Sequence, residues 1–365
     1  MIIAGLITTV LGIIAGIILF FRRPFLRDHE KLTAHPLVSV IIPARNEEAN
    51  LAQLLADLKR QTYTQLEVIV VDDDSSDKTL KIAQDAHVKA MAIKDKPDGW
   101  MGKNYACHLG SQAATGDVFL FLDADVRLSE KAIERLMKTS QKRHGVISVQ
   151  PYHLKQRFYE SFSLYFNLIQ IAANGLTNLF PHQSVSLFGP TILIERADYD
   201  KIGGHAAVKN CVVEDLALGQ ALHKHHISFH LCLGKKDITF RMYGSGVRKL
   251  SQGWIKNFAT GAGQTKLFTM LLIILWIACN LSLPFDIVRN IVSWDVLYLS
   301  IYSGLFIVLL VELFIFSGRI GNHAWLAVLA YPLWMAGFLT IFIVSLYRRL
   351  FHRPVTWKDR KIDFH

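Results

Sequence analysis

Two carboxylates, Asp123 and Asp125, close an apolar run, Val118–Leu122, that shows no alternation of polar and apolar residues. Such a run reads as a strand buried on both faces of a parallel sheet. Unpaired charge is costly in a core, so the pair belongs at the strand's carboxyl end, where open α/β sheets bind ligands. There an Asp-x-Asp offers hard oxygen ligands to Mg²⁺ or Mn²⁺, and the metal can neutralise a diphosphate. Alone, such a pair is more often an ordinary strand-to-turn feature. Three further polar clusters stand near neighbouring strand ends. Pro43-Ala-Arg45-Asn46-Glu47 follows a first apolar run, and Asp72-Asp73-Asp74-Ser75-Ser76-Asp77 follows a second. Trp100-Met-Gly102-Lys103-Asn104 opens the helix before the Asp-x-Asp strand. A carboxylate after the second strand can accept from a base N–H or a ribose hydroxyl, and Lys103 can face phosphate. Capping by 72–77 and a solvated Lys103 are the bland readings. Four clusters at successive strand ends weigh against them together.

These clusters need a scaffold. Short β-branched runs at 38–42, 68–71, 88–93, 118–122 and 146–149 alternate with helical periods at 47–60, 77–86, 104–114 and 130–142. The alternation predicts βαβ units in a mostly parallel sheet with helices on both faces. No G-x-G-x-x-G follows the first strand, which disfavours a dinucleotide site, and no P-loop is present. Residues 188–243 return to mixed α/β character.

Hydrophobic residues make up 51% of the 365-residue chain, and the mean hydropathy is +0.27. Both values trace to apolar blocks at 2–21, 267–284, 297–316 and 325–347. The first is long enough to span a bilayer, carries no cleavage pattern, and is followed by Arg22 and Arg23. The positive-inside rule places the chain beyond these arginines in the cytoplasm, at the inner membrane. The net charge of +10 could signal nucleic acid, but Arg22, Arg23, Arg27, Arg348, Arg349 and Arg353 flank apolar blocks, as residues facing anionic lipid do. Four cysteines without Cys-x-x-Cys spacing argue against a zinc site or disulfide framework. Residues 158–181, apolar but broken by Glu160, Asn167, Asn174 and Asn178, read as a helix in the membrane interface or over the acceptor site. Glu312 reads as an interface-exposed carboxylate near the end of a span. The expected organisation is an anchor (1–22), a cytoplasmic α/β domain (37–245), an amphipathic interface segment (246–266), membrane helices (267–347) and a basic tail (348–365). Three spans would leave that tail outside, against the positive-inside expectation.

The order and spacing of the clusters resemble the family-2 glycosyltransferases, which have the GT-A nucleotide-diphospho-sugar fold. The resemblance implies a UDP-sugar donor, with Asp73 on the uracil and Asp125 as the metal ligand. Asp72, Arg45, Glu47, Lys103 and Asp123 would line the nucleotide and phosphate site. Asp74 departs from the Gly or Asn usual there. Val213-Glu214-Asp215-Leu216 resembles the family's Glu-Asp motif, implying that Asp215, with Glu214, is the base that deprotonates an acceptor hydroxyl.

Ser148-Val-Gln-Pro-Tyr-His153, Arg157-Phe-Tyr-Glu160, Phe188-Gly-Pro190, Gly203-Gly-His205, Phe240-Arg-Met-Tyr243, and Gly253-Trp254 with Thr260-Gly-Ala-Gly263 are similar to a membrane-bound branch that glucosylates a carotenoid acid. That similarity implies UDP-glucose as donor, a lipophilic acceptor and neighbouring enzymes of the same lipid pathway. Processive members carry Gln-x-x-Arg-Trp, whereas Ser251-Gln-Gly-Trp254 lacks the Arg, which weakens a polysaccharide-synthase reading. Trp254 would stack at the acceptor mouth. A carboxylic acid acceptor is already ionised at neutral pH and needs no base, so the motif leaves acid and hydroxyl acceptors both open. No nucleophile stands beside a base, so the expected reaction is a single inverting displacement. A glycolipid, ceramide-type or polyprenyl-phosphate transferase is the nearest rival, and a non-catalytic nucleotide-sugar-binding membrane protein the more distant one.

Overall fold

The computed structural model describes residues 2–28, 31–180, 184, 186–242, 244, 246–261, 265–351, 355–357 and 360–362. Tyr243, Gly263 and Arg353, named above, lie outside the described residues. Helix α1 (Ile2–Leu19) comes first. Strands and helices then alternate through β1 (Val38–Ala44), α2 (Glu48–Lys59), β2 (Leu66–Asp72), α3 (Thr79–Asp85), β3 (Lys89–Ala92), α4 (Gly102–Ala113) and β4 (Val118–Leu122). Next are β5 (Val126–Leu128), α5 (Ala132–Arg143), β6 (Val146–Gln150), β7 (Tyr152–His153), α6 (Ser163–Ala173) and β8 (Thr191–Glu195). They are followed by α7 (Arg196–Lys201), α8 (Glu214–Lys224), β9 (Phe229–Leu233), β10 (Ile238–Phe240) and α9 (Val247–Gly261). The remaining elements are α10 (Leu267–Val292), α11 (Val296–Ile320), α12 (Trp325–Leu329), α13 (Tyr331–Leu350) and a hairpin of β11 (Val355–Trp357) and β12 (Arg360–Ile362).

The chain divides into a sheet unit, Pro24–Leu154 with Val185–Met242, and a helical unit, Met1–Arg23 with Lys155–Ser184 and Tyr243–His365. In the sheet unit, seven strands run in the order β3-β2-β1-β4-β8-β6-β9. β1 is parallel to β2 and β4, as the alternating pattern predicts. Val38, Val40 and Ile42 of β1 pack with Leu51, Leu54 and Leu55 of α2 and with Ile133 and Leu136 of α5. On the other face, Gly110 lets α4 close onto Ile41 and Val71, since a Cβ there would meet both. β8 differs from its neighbours: it is antiparallel to both β4 and β6. The pairing Leu122↔Thr191 therefore puts the start of β8 beside the end of β4, and Phe188-Gly189-Pro190 arrives at the same edge as Asp123.

In the helical unit, α10, α11 and α13 are long and apolar enough to cross a membrane. The apolar block at 325–347 is not one helix. Pro332 sits in the first turn of α13, where it lacks an N–H and would clash with a preceding carbonyl, so α12 ends before it. Helix α1 packs on α10 through Gly12 and Gly16, which allow close backbone approach. The room left by Gly16 is filled by Glu312 and Trp276. Glu312 is only 6% exposed, which corrects the expected interface exposure. Of the two readings of 158–181, a helix in the membrane interface or one over the acceptor site, burial corrects the first. A 3₁₀ turn, Phe158–Phe162, leads into α6, which is buried almost all round. Inside the unit Tyr165 Oη donates to Asn280 Oδ1 at 2.8 Å, whereas the buried Asn167 side-chain amide makes no hydrogen bond among the described residues. Buried Glu160 accepts from the Gln156 N–H. Helix α9 exposes Arg248 and Lys249 and buries Leu250 and Trp254.

Candidate active site

The first two strand ends are laced by side chains. β1 and β2 are in register, Ala44 opposite Asp72, so their following loops meet. Asn46 N–H donates to Ser75 Oγ at 2.9 Å, and Ser76 N–H donates to Asn46 Oδ1 at 2.9 Å. Asp77 accepts from the N–H groups of Thr79 and Glu48, so it caps the starts of both α3 and α2. Capping thus accounts for Asp77 but not for Asp72 and Asp73, which are 3% and 6% exposed. Asp72 Oδ2 accepts from Ser75 N–H, while Oδ1 is buried and accepts no hydrogen bond. Arg45 Nη1 donates to the Asp73 carbonyl at 2.6 Å and lies 3.7 Å from Asp74 Oδ2. Asp74 has φ +57°, a left-handed conformation that Gly and Asn also favour, so the turn keeps its geometry with Asp there. Glu47 is held by its N–H on Thr79 Oγ1 and accepts from Asn50 Nδ2 at 2.8 Å.

The second half of the site gathers at the ends of β4 and β8. Ser148 of β6 accepts from Phe188 N–H at 2.7 Å and donates back to the Phe188 carbonyl, fixing the backbone before Gly189. Asp123 N–H donates to the Pro190 carbonyl at 3.0 Å. Between those anchors, Gly189 N–H donates to Asp215 Oδ2 at 3.0 Å, and Leu216 N–H donates to Asp215 Oδ1 at 2.8 Å. Lys103 of α4 bridges Asp123 and Glu214, its Nζ 2.7 Å from Asp123 Oδ1 and 2.6 Å from Glu214 Oε1.

The electrostatics arise from these contacts. Burial alone would lower the Lys103 pKa, but Asp123 and Glu214 outweigh it and hold the amine well above its ordinary value, so it stays charged. Burial, reinforced by the neighbouring Glu214 charge and opposed by Lys103, raises Asp215 to about 6. Burial depresses His205 to about 3, so it is neutral; its Nδ1 lies 2.8 Å from Tyr199 Oη and its ring rests on Phe121. Burial pushes the Cys107 thiol up and keeps it protonated.

The structure thus brings Lys103, Asp123, Glu214 and Asp215 together, and separately Arg45 with Asp73 and Asp74. Asp125, half-buried, follows Asp123 by two residues. Trp254 belongs to the helical unit. It is wholly buried, donates from Nε1 to Ser163 Oγ at 3.2 Å, and stacks on Phe166 with centroids 4.5 Å apart.

Gly189, Ser148 and Asn104 have no individual role legible in the sequence. Asn104 is 1% exposed, and its Nδ2 donates to the carbonyls of Val208 at 2.7 Å and Cys211 at 3.0 Å. It ties the loop that delivers Glu214 and Asp215 to the helix that carries Lys103. A polar residue in the buried turn after Lys103 was the available signal. Asn104→Ala leaves those carbonyls without their donor and is expected to cost about 1–3 kcal/mol, read as a lower Tm with reduced activity. An unchanged Tm would show that the clamp carries no stability.

Among the described residues no three or more His, Cys, Asp or Glu converge on a metal cage. Asp123 and Asp125 still suit Mg²⁺ or Mn²⁺ chemically, because such ions are commonly held by one or two carboxylates with the rest supplied by substrate phosphates and water.

A mixed sheet of this order, with acidic groups from several strands at one edge, defines a GT-A-type glycosyltransferase core. Residues 39–202 match the sequence profile of Glycosyl transferase family 2. The chain is 34% identical over 362 residues to the 4,4'-diaponeurosporenoate glycosyltransferase of Staphylococcus aureus (strain N315), covering 95% of this chain and 93% of that protein. It is 36% identical over 278 residues to the protein of the same name from Staphylococcus haemolyticus (strain JCSC1435), covering 74% of each. In fold it is similar to the mannosyltransferase PcManGT from Pyrobaculum calidifontis, solved with GDP-Man and Mn²⁺. The TM-score there is 0.51 at 16% identity, over 95% of this chain and 96% of that one. The chain belongs to glycosyl transferase family 2 and is a glycosyltransferase.

Proposed function

We propose that the protein transfers glucose, with inversion, from UDP-glucose to the carboxyl group of a long apolar acid of the 4,4'-diaponeurosporenoate type. The observation that carries transfer chemistry is the seat of Asp215. Two backbone N–H groups hold it beside a Glu214 neutralised by Lys103, at the edge where Asp123 ends its strand. The acceptor class rests on the relatives, whose similarity runs through the helical unit as well as the sheet unit.

In this reading Asp72 and Asp73 receive the uridine, and the buried Asp72 Oδ1 that accepts no hydrogen bond is an acceptor awaiting a donor. Arg45 and Glu47 frame that pocket, and Lys103 faces the diphosphate. Asp125, with Asp123 beside it, would hold the divalent metal, which when bound neutralises charge on the departing diphosphate. The acceptor oxygen attacks the anomeric carbon as the bond to the diphosphate breaks, and UDP leaves with the electron pair. A carboxylic acid arrives ionised, with no proton to remove. Asp215 then orients the acceptor. Residues 1–22 and 267–347 anchor the protein in the cell membrane, with the sheet unit in the cytoplasm.

A second reading is favoured by Asp215 itself. A carboxylate raised to about 6 is suited to accept a proton near neutral pH, as a hydroxyl-bearing glycolipid acceptor would require. The deciding experiment offers membranes labelled UDP-glucose with Mg²⁺ or Mn²⁺, together with a long apolar acid or its alcohol analogue. Labelling of the acid supports the proposal, preference for the alcohol supports the second reading, and no labelling with no UDP release refutes both.

A further inference from the structure

Lys103 is bonded to two carboxylates on opposite sides of the proposed reaction. Asp123, 2.7 Å from its Nζ, borders the Asp-x-Asp turn on the donor side. Glu214, 2.6 Å away, adjoins Asp215 on the acceptor side. The Lys103 side chain is 34% exposed and that of Asp123 30%, whereas that of Glu214 is 12% exposed, so Glu214 is the more sheltered of the two carboxylates that the lysine bonds. The main chain around the bridge is fixed by the Asn104 clamp on one side and the Ser148–Phe188 pair on the other. The flexible lysine side chain is the part free to move.

We propose that Lys103 is a shared cation for which the donor's diphosphate and Glu214 compete, so that donor binding releases the acceptor-side carboxylates. The inference rests on the nucleotide-diphosphate reading of the site. A diphosphate brings more negative charge than one carboxylate, and several oxygens to receive the ammonium. Asp123 keeps Lys103 on the donor side as it turns, so the contact that is lost is the one to Glu214. Without that neutralising charge, Glu214 acts on Asp215 at full strength. Asp215 becomes a stronger hydrogen-bond acceptor and, for a hydroxyl substrate, a stronger base. In the donor-free protein the pair is quenched, and donor arrival switches it on. Linkage requires the converse: whatever removes the hold of Glu214 on Lys103 must tighten diphosphate binding.

The test is calorimetric titration of UDP, with Mg²⁺ present, onto the full-length protein in detergent. Six forms are compared: wild type, Lys103→Met and Lys103→Arg, each with and without Glu214→Gln. Competition predicts that Glu214→Gln binds UDP about tenfold tighter than wild type, within the usual range of coupling between sites. Lys103→Met binds more weakly than wild type, and adding Glu214→Gln to it changes nothing, because the shared partner is gone. Lys103→Arg, which keeps a cation, retains the Glu214 effect. Equal affinities for wild type and Glu214→Gln overturn the proposal, as does a gain that persists in the Lys103→Met background. Parallel titrations with GDP separate this from failure of the donor reading. If GDP binds and UDP does not, the UDP assignment falls and the Lys103 comparison is decided with GDP. Binding of neither nucleotide overturns both.

Discussion

Asp215→Asn is expected to cut transfer to a hydroxyl-bearing lipid by about a thousandfold, within the range for loss of a general base. Transfer to an ionised long-chain acid should stay within about tenfold of wild type, since no proton is removed. The two outcomes separate because only one acceptor holds a proton in the transition state. The pH dependence obeys the same logic. Burial, then the Glu214 charge, raises Asp215 to about 6. A base with that value is protonated and inactive at lower pH, so transfer to the alcohol should rise as pH increases through about 6, and the release of Glu214 by bound donor moves that rise upward. With the acid, the ordinary carboxylate range lies lower, so no matching rise is expected there. Asn offers one acceptor oxygen to the two N–H donors of Gly189 and Leu216, so Tm is measured alongside to separate lost chemistry from a loosened loop. Equal loss on both acceptors at unchanged Tm would mean that Asp215 binds the sugar or the acceptor rather than moving a proton.

Much of this arrangement was legible in the sequence, and the rest was hidden for identifiable reasons. The unbroken run Val118–Leu122 lies where expected, between β1 and the later strands, because a two-face-buried strand leaves a purely apolar signature. Helices α2, α4 and α5 fall within a few residues of their expected limits, because each buries one stripe against the sheet. The direction of β8 was not legible: Thr191–Glu195 reads the same in either sense, and only pairing with β4 and β6 sets it. The seat of Asp215 depends on that direction, so Gly189 had no visible role. Asp72 and Asp77 look alike in sequence, yet one is buried at the strand edge and the other caps two helices. Glu312 and the polar residues of 158–181 suggested exposure, but local composition does not reveal neighbours from distant parts of the chain, such as Gly16 against Glu312 and Asn280 bonded to Tyr165.

Gly189→Ala is expected to lower kcat with the alcohol acceptor by about ten- to a hundredfold while leaving UDP affinity within about twofold, as for a small displacement of a positioned catalytic group. A Cβ at Gly189 would lie 3.1 Å from Asp215 Oδ2 and 3.3 Å from Glu214 Oε1, tighter than ordinary contact, so one side must give slightly. The backbone is poorly placed to do so. Phe188 is bonded through both its N–H and its carbonyl to Ser148, and Pro190 receives the Asp123 N–H. The strain therefore passes to the two carboxylates, which sit at the start of α8 and can rotate away. The groups proposed for the uridine, Asp72 and Asp73, stand at the end of β2, three strands from β8 across β1 and β4, and are not among the atoms the new methyl group would meet. A variant with wild-type kcat would show that Asp215 need not stand where Gly189 holds it. A variant whose UDP affinity falls together with kcat would show that Gly189 serves the donor side instead.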